Sequence, residues 1–220
     1  MPSVSSAIIQ DIEAMQEAGQ ASLGYFYFDF GDANKQHRHD LLTSLLFQLS
    51  ARSVPRCGIL SRLYAVHDDG ARQPTDRELT KCLEKMLKLP DQRPIYLIID
   101  ALDESPDTFG IPSPREDVLR LVTELVKLRL PDLHLCVTSR PNMDINNAFE
   151  PSSPDSDVED DFEPLTPLGV SLHDESGQRE DIMEYVRSVV YSNSERIMKG
   201  WEKGEKDLVI KTLSNRADGM

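Results

Sequence analysis

The sequence predicts an α/β fold in which a parallel β-sheet is flanked by helices. Three observations carry that expectation. Three short apolar or aromatic stretches, 22–30, 95–100 and 133–139, are separated by segments of helical length with start signals of their own. Short apolar runs bounded by turns suit strands covered on both faces. The last two are joined by one crossover helix, which implies parallel pairing with both C-terminal ends on one edge of the sheet.

Taken in order, residues 3–19 place Ala7, Ile8, Ile12 and Met15 at helical spacing, and Gly19 suits the left-handed position that ends a helix. "SLGYFYFDF" (22–30) is short and aromatic and reads as the first strand. "RHDLLTSLLFQLSARS" (38–53) puts Leu41, Leu42, Leu45, Leu46 and Leu49 on one helical stripe. The segment carrying Pro55, Gly58 and Gly70 reads as a loop. Thr75 and Glu78 form a capping box for a helix to about Leu89. "IYLIID" (95–100) is the second strand. Ser113, Pro114 and Glu116 start a helix to about Arg129, and "LHLCVTS" (133–139) is the third strand.

From Pro141 the composition changes. Residues 151–163, "PSSPDSDVEDDFE", hold six acids, no bases and two prolines, the pattern of a solvated loop or disordered insert. "LTPLGVSL" suits a further strand, and "REDIMEYVRSVVYS" and "EKDLVIKTLSNRADG" suit helices. The expected organisation is therefore a core over 1–150, an acidic insert over 151–163, and over 164–220 the end of the core followed by a helical region.

Composition narrows the function. A net charge of −14 and a pI near 4.7 argue against a nucleic-acid partner, because such affinity comes from clustered Lys and Arg releasing counterions. Anionic membranes are disfavoured for the same reason. The first residues carry neither a basic n-region nor a long apolar run, so the chain is expected in the cytoplasm. Cys57, Cys82 and Cys136 are too scattered for a disulfide framework or a zinc cluster, and are expected as buried thiols. His37 and His39 find no third ligand nearby and are expected at the surface. His134 and Cys136 share a strand face, where core packing is expected.

The chemistry concentrates where strands end. "PIYLIIDALDES" (94–105) runs from an apolar strand into Asp100, Asp103 and Glu104. A carboxylate ending a buried parallel strand is fixed by the sheet yet reaches the rim where open α/β sheets bind ligands, so Asp100 can hold magnesium through water. Asp103 and Glu104 can orient or deprotonate a water, and "TSR" on the neighbouring strand offers Ser139 and the cation Arg140 to a terminal phosphate. Aliphatic strands also end in acids merely because loops are wet. The pairing with "TSRP" favours the functional reading.

These residues carry a family resemblance. "YLIIDALDES" resembles the extended Walker B box of NACHT-type signal-transduction NTPases, and "LHLCVTSRP" resembles their sensor-1 strand. "GYFYFDF", "HDLLTSLLFQL", "REDIMEYV" and the final "ADGM" are similar to further family segments, and the match is with the nephrocystin-like NACHT domains abundant in fungal proteins. The resemblance implies a P-loop NTPase-like fold and a nucleotide-switched, oligomerising signalling protein that binds ATP or GTP with Mg²⁺. Asp100 would hold Mg²⁺, Asp103 or Glu104 would serve the water, and Arg140, beside Ser139, would sense the γ-phosphate. The strands found would be the family's second, third and fourth.

One departure matters. The phosphate-binding Walker A loop needs Gly-x-x-x-x-Gly-Lys-Ser/Thr, and none of the 11 glycines is followed by Lys. In the family that loop and strand one precede the helix that opens this chain, so both are expected to be missing, as from a piece clipped at its two ends. The strand "LHLCV" would then present an unpaired apolar edge. Hydrolysis by this chain alone is not expected, and it is an open expectation whether it binds nucleotide at all. Two other readings stand beside this one: a non-catalytic scaffold or self-association module on the same fold, and an unrelated α/β domain with incidental acids.

Overall fold

The computed structural model describes residues 4–90, 92–108, 110–149, 176–191 and 201–216. Helix α1 (Val4–Glu17) ends in a Schellman motif: Gly19 turns to φ +71°, its N–H reaches the Gln16 carbonyl, and the Gln20 N–H reaches that of Met15. The chain then enters β1 (Ser22–Tyr27). The strand ends three residues before the expected limit because Asp29 N–H turns away to bond the Lys35 carbonyl, opening a 3₁₀ turn over Ala33–Lys35.

Helix α2 (Arg38–Ala51) buries the predicted leucine stripe, with Leu41, Leu42 and Leu45 fully excluded from water. The segment read as a loop is largely a helix, α3 (Val54–Val66). Pro55 stands in its first turn, where a missing N–H costs nothing, and the exposed face tolerates Gly58 while Ile59, Leu60 and Leu63 join the core. Helix α4 (Asp76–Leu87) starts at the predicted capping box, Thr75 N–H donating to Glu78 at 2.8 Å. Strand β2 (Ile95–Asp100) follows. Helix α5 (Pro114–Lys127) carries the second box, with Ser113 N–H donating to Glu116 at 2.8 Å. Strand β3 (Leu133–Val137) and a short helix, α6 (Met143–Phe149), complete the series. No element was expected at α6; its seven residues show too little periodicity to be legible.

Among the described residues the sheet has three strands in the order β1-β2-β3, both pairs parallel. Register places Tyr27 beside Asp100 and Ile99 beside Val137, so the strand ends share one rim. Strand alternation sorts the core. Leu97 and Ile99 face α2, α4 and α5, whereas Ile98 faces α1 through Ile9 and Ile12. Ile9 takes the inward position expected of Ala7, which is exposed. Ile95, Leu97, Ile98 and Ile99 are each at most 1% exposed, and burial of each such side chain stabilises by roughly 1.5–3 kcal/mol. The fold is α/β, a parallel sheet flanked by helices, consistent with a P-loop NTPase-like arrangement.

The described chain divides into a unit spanning 2–157 and another spanning 158–220. In the second, α7 (Ser176–Tyr191) and α8 (Lys203–Arg216) pack together, the Tyr191 hydroxyl donating to Asp207 at 3.0 Å. That hydrogen bond and the Asp207 charge raise the Tyr191 phenol above its ordinary pKa. The acidic stretch 151–163 and "LTPLGVSL" lie outside the described residues. Two thiols differ from expectation: Cys57 is exposed on α3 and Cys136 is half-buried, while Cys82 is buried. His134 is exposed and stacks on Tyr96, centroids 4.6 Å apart.

Candidate functional site

The rim begins at Asp100, the last residue of the central strand. Its backbone carbonyl accepts the Phe28 N–H at 3.0 Å, continuing the ladder to β1. Its carboxylate Oδ1 accepts two hydroxyls, Ser5 from the first turn of α1 and Thr138 just past β3. One oxygen at the end of β2 thus gathers hydroxyls from two other parts of the chain. The sequence reading did not single out either hydroxyl, although Thr138 lies within the "TSR" tip it named.

Thr138 has a second task. Its Oγ1 accepts the Ala101 N–H at 3.1 Å, while backbone bonds run from Thr138 N–H to Ile99 and from Leu102 N–H to Thr138. Ala101 needs such restraint because it sits at φ +53°, ψ +47°, a left-handed conformation costly for a residue with a Cβ. The turn sends the chain into a 3₁₀ segment, Leu102–Glu104, that presents Asp103 to β3. Asp103 Oδ1 accepts the Arg140 N–H at 3.0 Å and Oδ2 lies 3.5 Å from Arg140 Nε.

The five predicted residues therefore occupy one rim but do different things. Asp103 and Arg140 meet. Asp100 meets Ser5 and Thr138 instead. Glu104 accepts the Phe30 N–H at 3.1 Å and braces the loop after β1, and the Ser139 hydroxyl turns back onto the Arg140 carbonyl at 2.7 Å. Nearby groups register the Asp100 charge: burial, and in smaller part Asp100, raise the Tyr27 phenol and the Cys136 thiol above their ordinary pKa values. A second cation, Arg115, underlies the segment and was read in the sequence only as part of a helix start.

Fit to the expected cofactors divides in two. Hydroxyl and carboxylate oxygens are the hard donors Mg²⁺ takes, and Mg²⁺ keeps most of its waters, so one carboxylate with substrate phosphates suffices. Among the described residues there is no cluster of three or more His, Cys, Asp or Glu able to hold a metal. The phosphate clamp does not fit, since no glycine in the 220 residues is followed by Lys. His37 and His39 do not converge: His37 caps α2, and His39 Nδ1 pairs with Asp76 at 2.7 Å.

Among the described residues no helix is long and apolar enough to cross a membrane. No curated protein and no solved structure matches the chain. A family model, Nephrocystin 3, N-terminal, matches residues 3–140, from α1 through Arg140, which is more than half of the 220 residues and includes every rim group described above. The chain belongs to the nephrocystin 3 N-terminal family.

Proposed function

We propose that the rim is the magnesium and γ-phosphate side of a nucleotide site, within a NACHT-type signalling switch that responds to ATP or GTP. The observation that carries this reading is the convergence of Ser5 and Thr138 on one Asp100 oxygen, with the Asp103–Arg140 pair beside it. A carboxylate pre-oriented by two hydroxyls needs little rearrangement to accept a hydrated cation, and preorganisation of this kind lowers the cost of binding. In this reading Asp100 would hold Mg²⁺, Asp103 or Glu104 would position the water, and Arg140, beside Ser139, would meet the terminal phosphate. The chemistry the cation supplies is neutralisation of phosphate charge.

The test is titration of a fluorescent ATP or GTP analogue into the 220-residue chain with and without Mg²⁺. Binding that needs Mg²⁺ and weakens by roughly tenfold or more in Asp100→Ala, the loss of one charge-assisted contact, supports the reading. Absence of Mg²⁺-dependent binding, or binding indifferent to Asp100→Ala in a variant that still melts cooperatively, overturns it.

One observation favours a second reading, a scaffold or self-association module. Strand β3 pairs only with β2 among the described residues, and Leu133, Leu135, Cys136 and Val137 are only partly buried. Open apolar strand edges recruit other chains. Concentration-dependent dimerisation measured by light scattering, in a chain that binds no nucleotide, would select it.

A further inference from the structure

Arg115 is an odd residue for its place. It stands in the first turn of α5, at the positive end of the helix dipole, where a cation is disfavoured, and only 7% of it is exposed. Burial of a guanidinium there demands partners, and the partners are specific. Nε donates to the Ser105 carbonyl at 2.9 Å and one terminal nitrogen donates to the Asp103 carbonyl at 2.6 Å. The other terminal nitrogen lies 3.2 Å from Asp107 and 3.3 Å from Asp144.

The two carbonyls belong to the end of the Leu102–Glu104 3₁₀ turn, whose last acceptors have no partner of their own within it. Asp144 opens α6, the helix that follows the Thr138–Arg140 segment. One planar fork thus fastens the backbone of Asp103 on one side and the start of α6 on the other, and Arg140, whose N–H binds the Asp103 carboxylate, lies between the two fastenings. The fork geometry matters: a lysine ammonium is a point charge and cannot span two carbonyls and a carboxylate in fixed directions.

We propose that Arg115 is the positioning residue of this rim: it sets where the Asp103 carboxylate stands and ties the segment after β2 to the segment after β3, so that the two move together. Its place in nucleotide recognition rests on the proposed function above, whereas the mechanical tie does not. Arg115 touches no ligand; it acts through Asp103 and Arg140.

Residue-resolved amide hydrogen exchange on the nucleotide-free chain tests the tie directly. In Arg115→Lys and Arg115→Gln, the amides of Arg140 and of Glu104 and Ser105 are expected to exchange about tenfold faster or more, the consequence of losing a charge-assisted hydrogen bond, while α5 interior amides such as Val122 and Leu125 keep their rates. Asp144→Asn is expected to accelerate Arg140 but not Glu104. Arg120→Gln, which loses only an exposed pair with Asp117, should change neither. Unchanged Arg140 exchange in Arg115→Lys overturns the proposal, and so does uniform acceleration across the unit, which would make Arg115 merely structural. If the parent chain binds the fluorescent nucleotide, Arg115→Lys should weaken it about tenfold with Asp100 untouched. Failure of the parent to bind would defeat the nucleotide reading and leave the exchange result to judge Arg115 by itself.

Discussion

Replacing Thr138 by valine removes one hydroxyl while keeping the side chain's shape, and the structure sets what that deletion costs. The hydroxyl accepts the Ala101 N–H at 3.1 Å and donates to Asp100. Leaving a partly buried amide without an acceptor costs about 1–3 kcal/mol, and a hydrogen bond to an ionised group contributes about 1.5–3 kcal/mol. The second figure is discounted, because Ser5 still donates to the same oxygen and the site is only half-buried. A net loss of about 2–3 kcal/mol follows, a large share of the roughly 5–15 kcal/mol that keeps a domain folded. Equilibrium unfolding in urea, followed by far-UV circular dichroism, measures it. With a slope of about 2 kcal/mol/M the midpoint should fall by about 1–1.5 M at unchanged slope. Thr138→Ser retains both bonds and should cost under about 1 kcal/mol. A Thr138→Val variant within about 0.5 kcal/mol of the parent, the scatter of an ordinary surface change, would refute the account of the Ala101 turn.

Two further outcomes follow from side chains outside the rim. The Gln48 amide accepts the Tyr25 N–H at 2.9 Å and donates to the Tyr25 carbonyl at 2.8 Å, occupying the edge of β1 as a neighbouring strand would; Gln48→Ala should cost about 1–2 kcal/mol and promote concentration-dependent association, and a variant equally stable and monodisperse would count against edge protection. Glu78 has its pKa lowered from 4.5 to about 2, chiefly by the Thr75 N–H, then by the Thr75 hydroxyl and His67. A folded pKa below the unfolded one means the contribution is complete above about pH 4.5 and is lost as pH falls toward about 2, so an NMR titration should place the Glu78 midpoint near 2 and Glu78→Gln should flatten the acid limb of the stability curve.

What the sequence made legible was whatever repeats or punctuates. The α2 leucines recur at helical spacing, the two boxes at Thr75 and Ser113 have a fixed three-residue offset, and "IYLII" is apolar throughout because both its faces are covered. Helix α3 was hidden by Pro55 and Gly58, whose penalties depend on position within a helix that had not yet been located. At the rim, Asp100, Asp103, Glu104, Ser139 and Arg140 were legible as candidates because strand ends draw attention to acids and cations. Ser5 and Thr138 were not, since a hydroxyl becomes informative only when folding brings it to a carboxylate 95 or 38 positions away. Arg115 carried a weak signal, a cation in the first turn of a helix, that its capping neighbours masked.

The rim combines a fixed half with an adjustable one, and this bears on how a switch of the proposed kind would work. Asp100 is paired with Tyr27 of β1, follows Ile99, which is paired with Val137 of β3, and accepts two hydroxyls, so its position is set by the sheet. Arg140 is 70% exposed, and its side chain meets Asp103 only at 3.5 Å. A pair with so exposed a guanidinium and so long a contact contributes about 0–1 kcal/mol, so a phosphate group could draw the guanidinium away at small cost. The Asp103 carboxylate would not be stranded, because the Arg140 backbone N–H still donates to it at 3.0 Å and Arg115 still holds its carbonyl. Arrival of an anion would therefore redirect one side chain while leaving the loop in place. For the segment beyond β3 to move as well, the Arg115–Asp144 contact at 3.3 Å has to break, which makes that contact the step separating ligand sensing from any transmitted change.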